Sequence, residues 1–337
     1  MIDLKKISFI LFAGLAFFYS CSFDKPRAQG ADNEIIIVCS NENKDEAMYI
    51  LSNIFNDTLY TPQPELSFNQ VWVTPNKFNE IKKNVNVVII SIGNDIDNPG
   101  TGLVKKLLSE DQFSSGIFGN NNLIFTRDVF ARDQNMLIIN GLNNDVINKT
   151  VIEKGPWVEK QFEALFVHRQ SQYMLNSSSR QIELENNIKK NFNWSMKIPY
   201  GFTIISDSLS KDFFWIGREM PYRWLAVQWS EGLLFSDSST ASQYVKSLPL
   251  KYFRTIRYAD YYFKIEPDLF NERGSWKVSG LWESIEEAQG GPFLSYLFYD
   301  ENHDRTYFVH TMIFYPGKNK YLLLKQLDII AKTFETF

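Results

Sequence analysis

The chain has little of what builds most recognisable sites. Of its 337 residues only two are cysteine, Cys21 and Cys39, and three are histidine, His168, His303 and His310. Two cysteines exclude a disulfide framework. No histidine has a partner at metal-ligand spacing and no His-Glu-x-x-His run occurs, so neither a metal nor a cofactor is expected. A Gly-x-Ser-x-Gly elbow is missing as well, and no catalytic residue is assigned. The net charge is −4 and no basic tract occurs, which argues against a nucleic-acid partner. There is no internal repeat.

Long apolar runs are also scarce, and the one that stands out is at the start. Lys5 and Lys6 precede an apolar stretch from Ile7 to Tyr19, interrupted only by Ser8 and Gly14, and Cys21 follows Ser20. A positive segment, a short apolar segment and a small residue before the break read as a secretory signal. The run is too short for a comfortable membrane span. A cysteine at the first position after the break marks lipid attachment at Cys21. Residues 1–20 are therefore expected to be a signal peptide and 21–33, polar with Pro26 and Gly30, a tether. The expected location is the cell envelope, anchored to the membrane by lipid. Ser22 after the anchor favours the outer membrane, on its periplasmic or surface face.

With Cys21 acylated, Cys39 is left alone at the end of Ile35-Ile36-Ile37-Val38, where it reads as a buried strand residue. Hydrophobic residues make up 44% and aromatics 15% of the chain, enough to fill sizeable cores. From Glu34 to about Met174, β-branched runs (Glu34–Val38, Val85–Ile90, Met136–Ile139) alternate with helical periodicity (Asp45–Phe55, Thr101–Leu108). Asn144 to Met174 reads as a long helix broken near Gly155-Pro156. Helices on one face of a mixed sheet are expected. Ser177-Ser178-Ser179 marks a hinge-like stretch. Beyond it, a helix from Arg180 to Lys190 leads into a strand-rich region: Trp194–Ile205, Phe213–Arg218, Trp224–Trp229, Trp276–Trp282, Phe293–Tyr299 and Thr306–Tyr315. Helices are expected near Ala241–Tyr252 and at Gly317–Phe334. The class is α+β, with two α/β units at 34–176 and 177–337, each a mixed or antiparallel sheet flanked by helices.

Several blocks resemble a family of exported bacterial lipoproteins, the domain of unknown function DUF4837. They are Gly280-Leu281-Trp282-Glu283, Gly290-Gly291-Pro292-Phe293, Tyr315-Pro316-Gly317-Lys318, Trp194 to Phe202, Phe213-Phe214-Trp215-Ile216, and the connector Pro62-Gln63-Pro64-Glu65. The resemblance implies location and architecture but no reaction.

Each candidate site has a plainer reading beside it. Gly93 to Lys106 follows a strand and opens a helix, the setting of a phosphate cradle, but its spacing suits an ordinary turn better. Trp282 and Glu283, with Glu286 and Glu287, could form an acidic site; solvated turn charges explain them better. Gly290 and Gly291 permit close backbone approach, by a strand or by a ligand. Arg218, Glu219, Arg223, Arg254 and Arg257 form the densest charged set, able to line a groove for an anion or to pair with carboxylates at a sheet edge. Asp57-Thr58-Leu59 and Asp207-Ser208-Leu209 fit a short bacterial O-glycosylation pattern. The candidate ligand or partner surface is thus Trp282, Glu283, Gly290, Gly291, Arg218, Arg254 and Arg257. The expected role is a non-enzymatic binding or scaffold lipoprotein with an envelope protein or glycan as partner. The alternatives are a glycan or peptide hydrolase acting through a dispersed acidic site, and a small-ligand carrier.

Overall fold

The computed structural model describes residues 25–59, 64–208 and 212–337. The expected signal peptide, Cys21, Pro62, Gln63 and Leu209 lie outside the described residues.

The run Glu34–Val38 forms strand β1 and carries buried β-branched side chains on both faces, as a strand covered on two sides must. After helix α1 (Lys44–Ser52) come the short pair β2 (Thr58–Leu59) and β3 (Glu65–Leu66), then β4 (Asn69–Val73), α2 (Phe78–Ile81), β5 (Asn86–Ile92), α3 (Pro99–Leu107), α4 (Glu110–Ile117), β6 (Leu123–Arg127), β7 (Asn135–Gly141) and α5 (Asn144–Met174). The sheet order is β4-β1-β5-β7-β6, parallel except for β6 against β7.

The helices pack on both faces of this sheet, not one. Ile35, Ile37, Val88, Ile90, Leu137 and Ile139 meet α1 and α5, while Val38, Val87, Ile89, Met136 and Ile138 meet Phe78, Val104 and Phe113 of α2, α3 and α4. Strands that are apolar at every position demand cover on each side, and the β-branched runs already carried that information.

Two further expectations are corrected. Helix α5 runs unbroken through Gly155-Pro156. Gly155 lies against the end of α1, where a Cβ would sit 2.9 Å from the Asn53 carbonyl oxygen; tertiary packing outweighs the hydrogen bond that Pro156 removes. The expected tether is docked from Pro26 onward: Ala28 is buried, its N–H donates to the Arg132 carbonyl at 2.8 Å, and Asp32 accepts from Arg169 Nε at 2.6 Å and Gln170 Nε2 at 2.7 Å. A polar composition suggested a free linker, but these groups find their partners on the fold.

Ser177–Ser179 forms a single 3-10 turn, pinned where Tyr200 N–H donates to the Ser179 carbonyl. Then follow α6 (Ile182–Phe192), β8 (Trp194–Ser195), β9 (Thr203–Ser208), β10 (Phe213–Arg218), β11 (Tyr222–Glu231), α7 (Ser238–Tyr252), β12 (Ile256–Phe270), β13 (Arg273–Ser284), β14 (Gly290–Asp300), β15 (Arg305–Phe314), α8 (Tyr321–Ala331) and β16 (Glu335–Thr336). Seven of these strands make an antiparallel sheet in the order β12-β13-β14-β15-β11-β10-β9. Its alternating residues fill two cores. Phe214, Ile216, Leu225, Val227, Tyr296 and Val309 meet α6 and α8. Trp282, Phe293, Leu297, Phe308 and Met312 meet α7. The α+β class expected from sequence is the observed one.

The junction between the sheets is polar and closely fitted. Lys320, the N-cap residue of helix α8, gives no side-chain cap, and the local acceptor there is Asn319 Oδ1, which takes the Tyr321 N–H at 3.1 Å. Glu65 of β3 also reaches across, and its Oε2 accepts the N–H groups of Lys320 at 2.5 Å and Tyr321 at 2.9 Å while its Oε1 pairs with Lys320 Nζ at 2.7 Å. Tyr321 OH donates to Asp57 Oδ2 at 2.5 Å, Lys325 pairs with Glu163 at 3.0 Å, and Gln326 Nε2 donates to Gln170 Oε1 at 2.8 Å.

Candidate functional site

The residues singled out from the sequence separate onto the two faces of the large sheet. Trp282 is core: only 3% exposed, it packs edge-on to Trp224 with ring centroids 5.8 Å apart, and its Nε1 donates to the Ile313 carbonyl at 3.1 Å. Gly291 is what lets the indole and the strands meet, since a Cβ there would lie 2.0 Å from that same carbonyl oxygen. At Gly290 a Cβ would lie 2.6 Å from the Trp282 carbonyl oxygen. Close approach by a neighbouring strand accounts for both glycines.

Glu283 sits opposite Arg257 in the β12–β13 ladder. Its Oε2 accepts from Arg257 Nε and Nη2 at 3.3 Å each, and its Oε1 accepts from Tyr261 OH at 2.7 Å. The carboxylate is thus occupied by a cross-strand ion pair at the sheet edge. Glu286 and Glu287 are exposed in the following turn, their N–H groups donating to Ser284 Oγ. Arg254 is exposed just past α7 with a left-handed backbone, φ 66°. These residues do not converge on a common space with Arg218.

A small pocket of about 180 Å³ lies on the α7 face, walled by Trp215, Trp224, Phe253, Trp282 and Met312, with Thr255, Ser284 and Gln289 at its rim. The glycine turn before α3 is capped from within: Asn98 Oδ1 accepts from the N–H groups of Gly100 and Thr101, and Ser40 Oγ accepts from Gly100 N–H at 2.8 Å. Asp57, of the first glycosylation pattern, is held in the junction by Tyr321. His168 and His303 are tied to local partners, Gln172 and Asp300. Among the described residues no group of three or more His, Cys, Asp or Glu side chains is placed to hold a metal ion, and no helix is long and apolar enough to cross a membrane.

A larger concavity is on the α8 face, where the two sheets' elements meet. A groove of about 470 Å³ is lined by Tyr173 and Met174 of α5, Ser178 and Ser179 of the 3-10 turn, Pro199, Tyr200 and Phe202 of the loop before β9, Arg218 and Arg223 of the β10–β11 hairpin, and Gln326, Leu327 and Ile330 of α8. Strand alternation puts Arg218 and Arg223 on the face of Phe214, Ile216, Leu225 and Val227, one step beyond the core. Gly201, at φ 90°, leaves room for the Arg218 guanidinium; a Cβ there would sit 3.0 Å from its Nε. Arg223 Nη1 donates to Gln326 Oε1 at 3.4 Å.

Of this groove the sequence surface anticipated Arg218; Arg223 stood in the charged set around it. Tyr173, Tyr200 and Gln326 were missed, because they come from segments far apart in the chain. One local signal was available: Arg218-Glu219-Met220-Pro221-Tyr222-Arg223 is a turn with an arginine on each flank, so a hairpin there sets the two side by side.

The protein is therefore an α+β protein built on two large sheets, one mixed and one antiparallel, joined across a charged junction with a groove at its side. Residues 181–333 match a domain of unknown function (DUF4837), the one that the C-terminal sequence blocks resemble. Residues 28–174 match a second domain of unknown function (DUF8532). No curated protein matches the sequence. Among solved structures, the Ran-binding protein Mog1p of Saccharomyces cerevisiae is 11% identical, with 43% of this chain and 90% of that chain covered at a TM-score of 0.32. A structure from Bacteroides thetaiotaomicron is 10% identical over 44% of this chain and 46% of that one, with a TM-score of 0.27. LpqN of Mycobacterium tuberculosis, described as involved in cell envelope biogenesis, is 9% identical over 42% of this chain and 81% of that one, with a TM-score of 0.28. Likeness at this level carries no functional argument.

Proposed function

We propose that the protein is a lipid-anchored binding protein of the cell envelope, held through Cys21, that accommodates a small ligand in the groove beside α8. The groove is the observation that supports binding. Its volume of about 470 Å³ falls in the range of small-molecule sites, and it combines an apolar floor with a few polar groups. The ion pairs and the shared cap at the junction hold its two walls in fixed relation, so the site is formed in advance of ligand. The anchor rests on the Lys5-Lys6, apolar and Cys21 sequence. A division into units near residue 176 and an outer-membrane location belong to the same proposal. The hydrolase alternative finds less support, because both oxygens of Glu283 are engaged by Arg257 and Tyr261.

Native mass spectrometry of the full-length protein released from its own membranes tests the binding reading. A bound small molecule on the wild type that is lost when Ser178→Trp fills the groove is the expected result; a bare wild-type chain refutes it. Cys21→Ser tests the anchor separately, with loss of lipid labelling and release from the membrane expected, and persistence of both overturning it.

A further inference from the structure

Directly opposed residues of an antiparallel pair are close neighbours, and like charges there repel. The pair nearest the turn of the β10–β11 hairpin is Arg218 with Arg223. Other cations on the same side of the molecule have carboxylate partners: Lys320 pairs with Glu65, Lys325 with Glu163 and Lys332 with Asp328. The two arginines differ. Among the described residues, no carboxylate oxygen lies within 4.0 Å of either guanidinium. Arg223 Nε is buried with no hydrogen-bond partner, and its Nη1 has only the 3.4 Å contact to Gln326. Arg218 Nη1 reaches the Tyr200 carbonyl at 3.5 Å. Burial, and then the charge of Arg218, lower Arg223 to about 10, which leaves it cationic at neutral pH. The fold therefore holds two like charges side by side, with donors left over, at the edge of a cavity.

We infer that the groove binds an organic anion, a carboxylate or phosphate ester on an apolar body, with Arg218 and Arg223 clamping the anionic group. Guanidinium forks match the planar oxygens of a carboxylate and the oxygens of a phosphate, and an anion between them turns repulsion into two charge-assisted contacts. The apolar body has its place against Met174, Phe202, Leu327 and Ile330, with Tyr173 and Tyr200, 74% and 61% exposed, at the mouth. The inference rests on the binding reading above, because it assigns the chemistry of that same groove.

Calorimetric titration of the full-length protein in neutral detergent, with phenyl phosphate, benzoate and inorganic phosphate as probes, tests it. At least one aromatic anion should bind tenfold or more tightly than inorganic phosphate, and the better of the two tells an ester phosphate from a carboxylate. Arg218→Gln and Arg223→Gln should each weaken that binding at least tenfold. Without ligand, each variant should unfold at the same or a higher urea concentration than the wild type, since the change relieves repulsion. A merely structural arginine would give the opposite shift. The inference is overturned by aromatic anions that bind no better than inorganic phosphate, by glutamine variants that keep affinity within twofold, or by variants that lose stability without ligand. Ser178→Trp separates the two readings. If it blocks the aromatic probes while the glutamine variants do not, the anion clamp falls and the groove remains a binding site. If the native ligand is missing from the wild type, the groove reading itself falls.

Discussion

Replacing Glu65 by alanine should cost far more than its place in a two-residue strand suggests. The carboxylate is 9% exposed and makes three contacts with the start of α8: two backbone N–H groups, at 2.5 and 2.9 Å, and Lys320 Nζ at 2.7 Å. Loss of an acceptor at a helix N-terminus costs about 1 kcal/mol, within a range of about 0.5–2. Removing one partner of a buried ion pair costs about 3–5 kcal/mol, because the other charge is stranded. The Lys320 side chain retains 12% exposure and so keeps some solvent, which places the combined loss for Glu65→Ala at about 3–4 kcal/mol. Glu65→Gln keeps a carbonyl acceptor for the cap and loses the charge, so about 2 kcal/mol is expected. Urea unfolding at pH 7 reads these values. Trp72 and Trp157 lie before residue 176 and the other six tryptophans after it, so fluorescence and far-UV circular dichroism together establish whether both parts unfold in one transition. The midpoint should fall at an unchanged slope. The cycle Glu65→Gln, Lys320→Met and the double variant should give a coupling of at least about 1 kcal/mol. A loss below about 1 kcal/mol for Glu65→Ala refutes the view that this residue joins the two sheets.

The class of fold and most of its elements were legible in the chain because hydrophobic periodicity is local. The run Glu34–Val38, the helix Ala241–Tyr252 and the strands around Trp276 and Phe293 follow from it directly. Strand β12 did not. Its sequence, Ile256 to Phe270, carries Asp260, Lys264, Glu266, Pro267 and Asp268, the composition of a loop. It is an edge strand, where charges and a proline are tolerated because one side of the ladder needs no partner. The single expected strand Trp194–Ile205 is two, β8 and β9, parted by the loop that carries Gly201 to the groove. The site itself was legible only in part. Arg218 and Arg223 were visible as a pair of cations, but whether they face carboxylates or a cavity depends on α5 and α8, whose positions no local pattern encodes. Glu65 is the sharper case: it reads as the end of a proline-rich connector, and only the approach of Lys320 and Tyr321, some 255 residues on, makes it a helix cap.

Three further perturbations test the packing arguments. Gly291→Ala drives a Cβ to within 2.0 Å of the Ile313 carbonyl oxygen, a backbone atom that cannot yield, and should cost about 3 kcal/mol or more in urea unfolding; Gly274→Ala, with nothing within 4 Å, should stay within about 0.5 kcal/mol, and equal losses would refute the close-approach account. Cys39 is 4% exposed, and burial followed by Glu42 and Glu46 pushes its thiol up to about 12, so a disulfide reagent should modify it only in denaturant; stoichiometric reaction with the native protein within minutes would refute this. The third concerns His310, 1% exposed and ringed by Phe253, Tyr258, Phe293 and Phe308, with Nδ1 2.6 Å from Ser295 Oγ. Burial lowers it to about 3, against about 6.5 for an unfolded histidine. Below pH 6.5 the unfolded chain therefore takes up a proton that the folded chain refuses. Stability is full above that point and falls as the pH drops toward 3, by about 2 kcal/mol between pH 7 and pH 5. Among the described residues in contact with His310, which are Phe253, Tyr258, Phe293, Ser295 and Phe308, none titrates in this window, so His310→Gln should lower stability at pH 7 yet flatten the pH 7 to 5 slope by that amount. Parallel slopes for the two proteins would show that the imidazole is protonated in place, and that its burial does not set the acid limit of the fold.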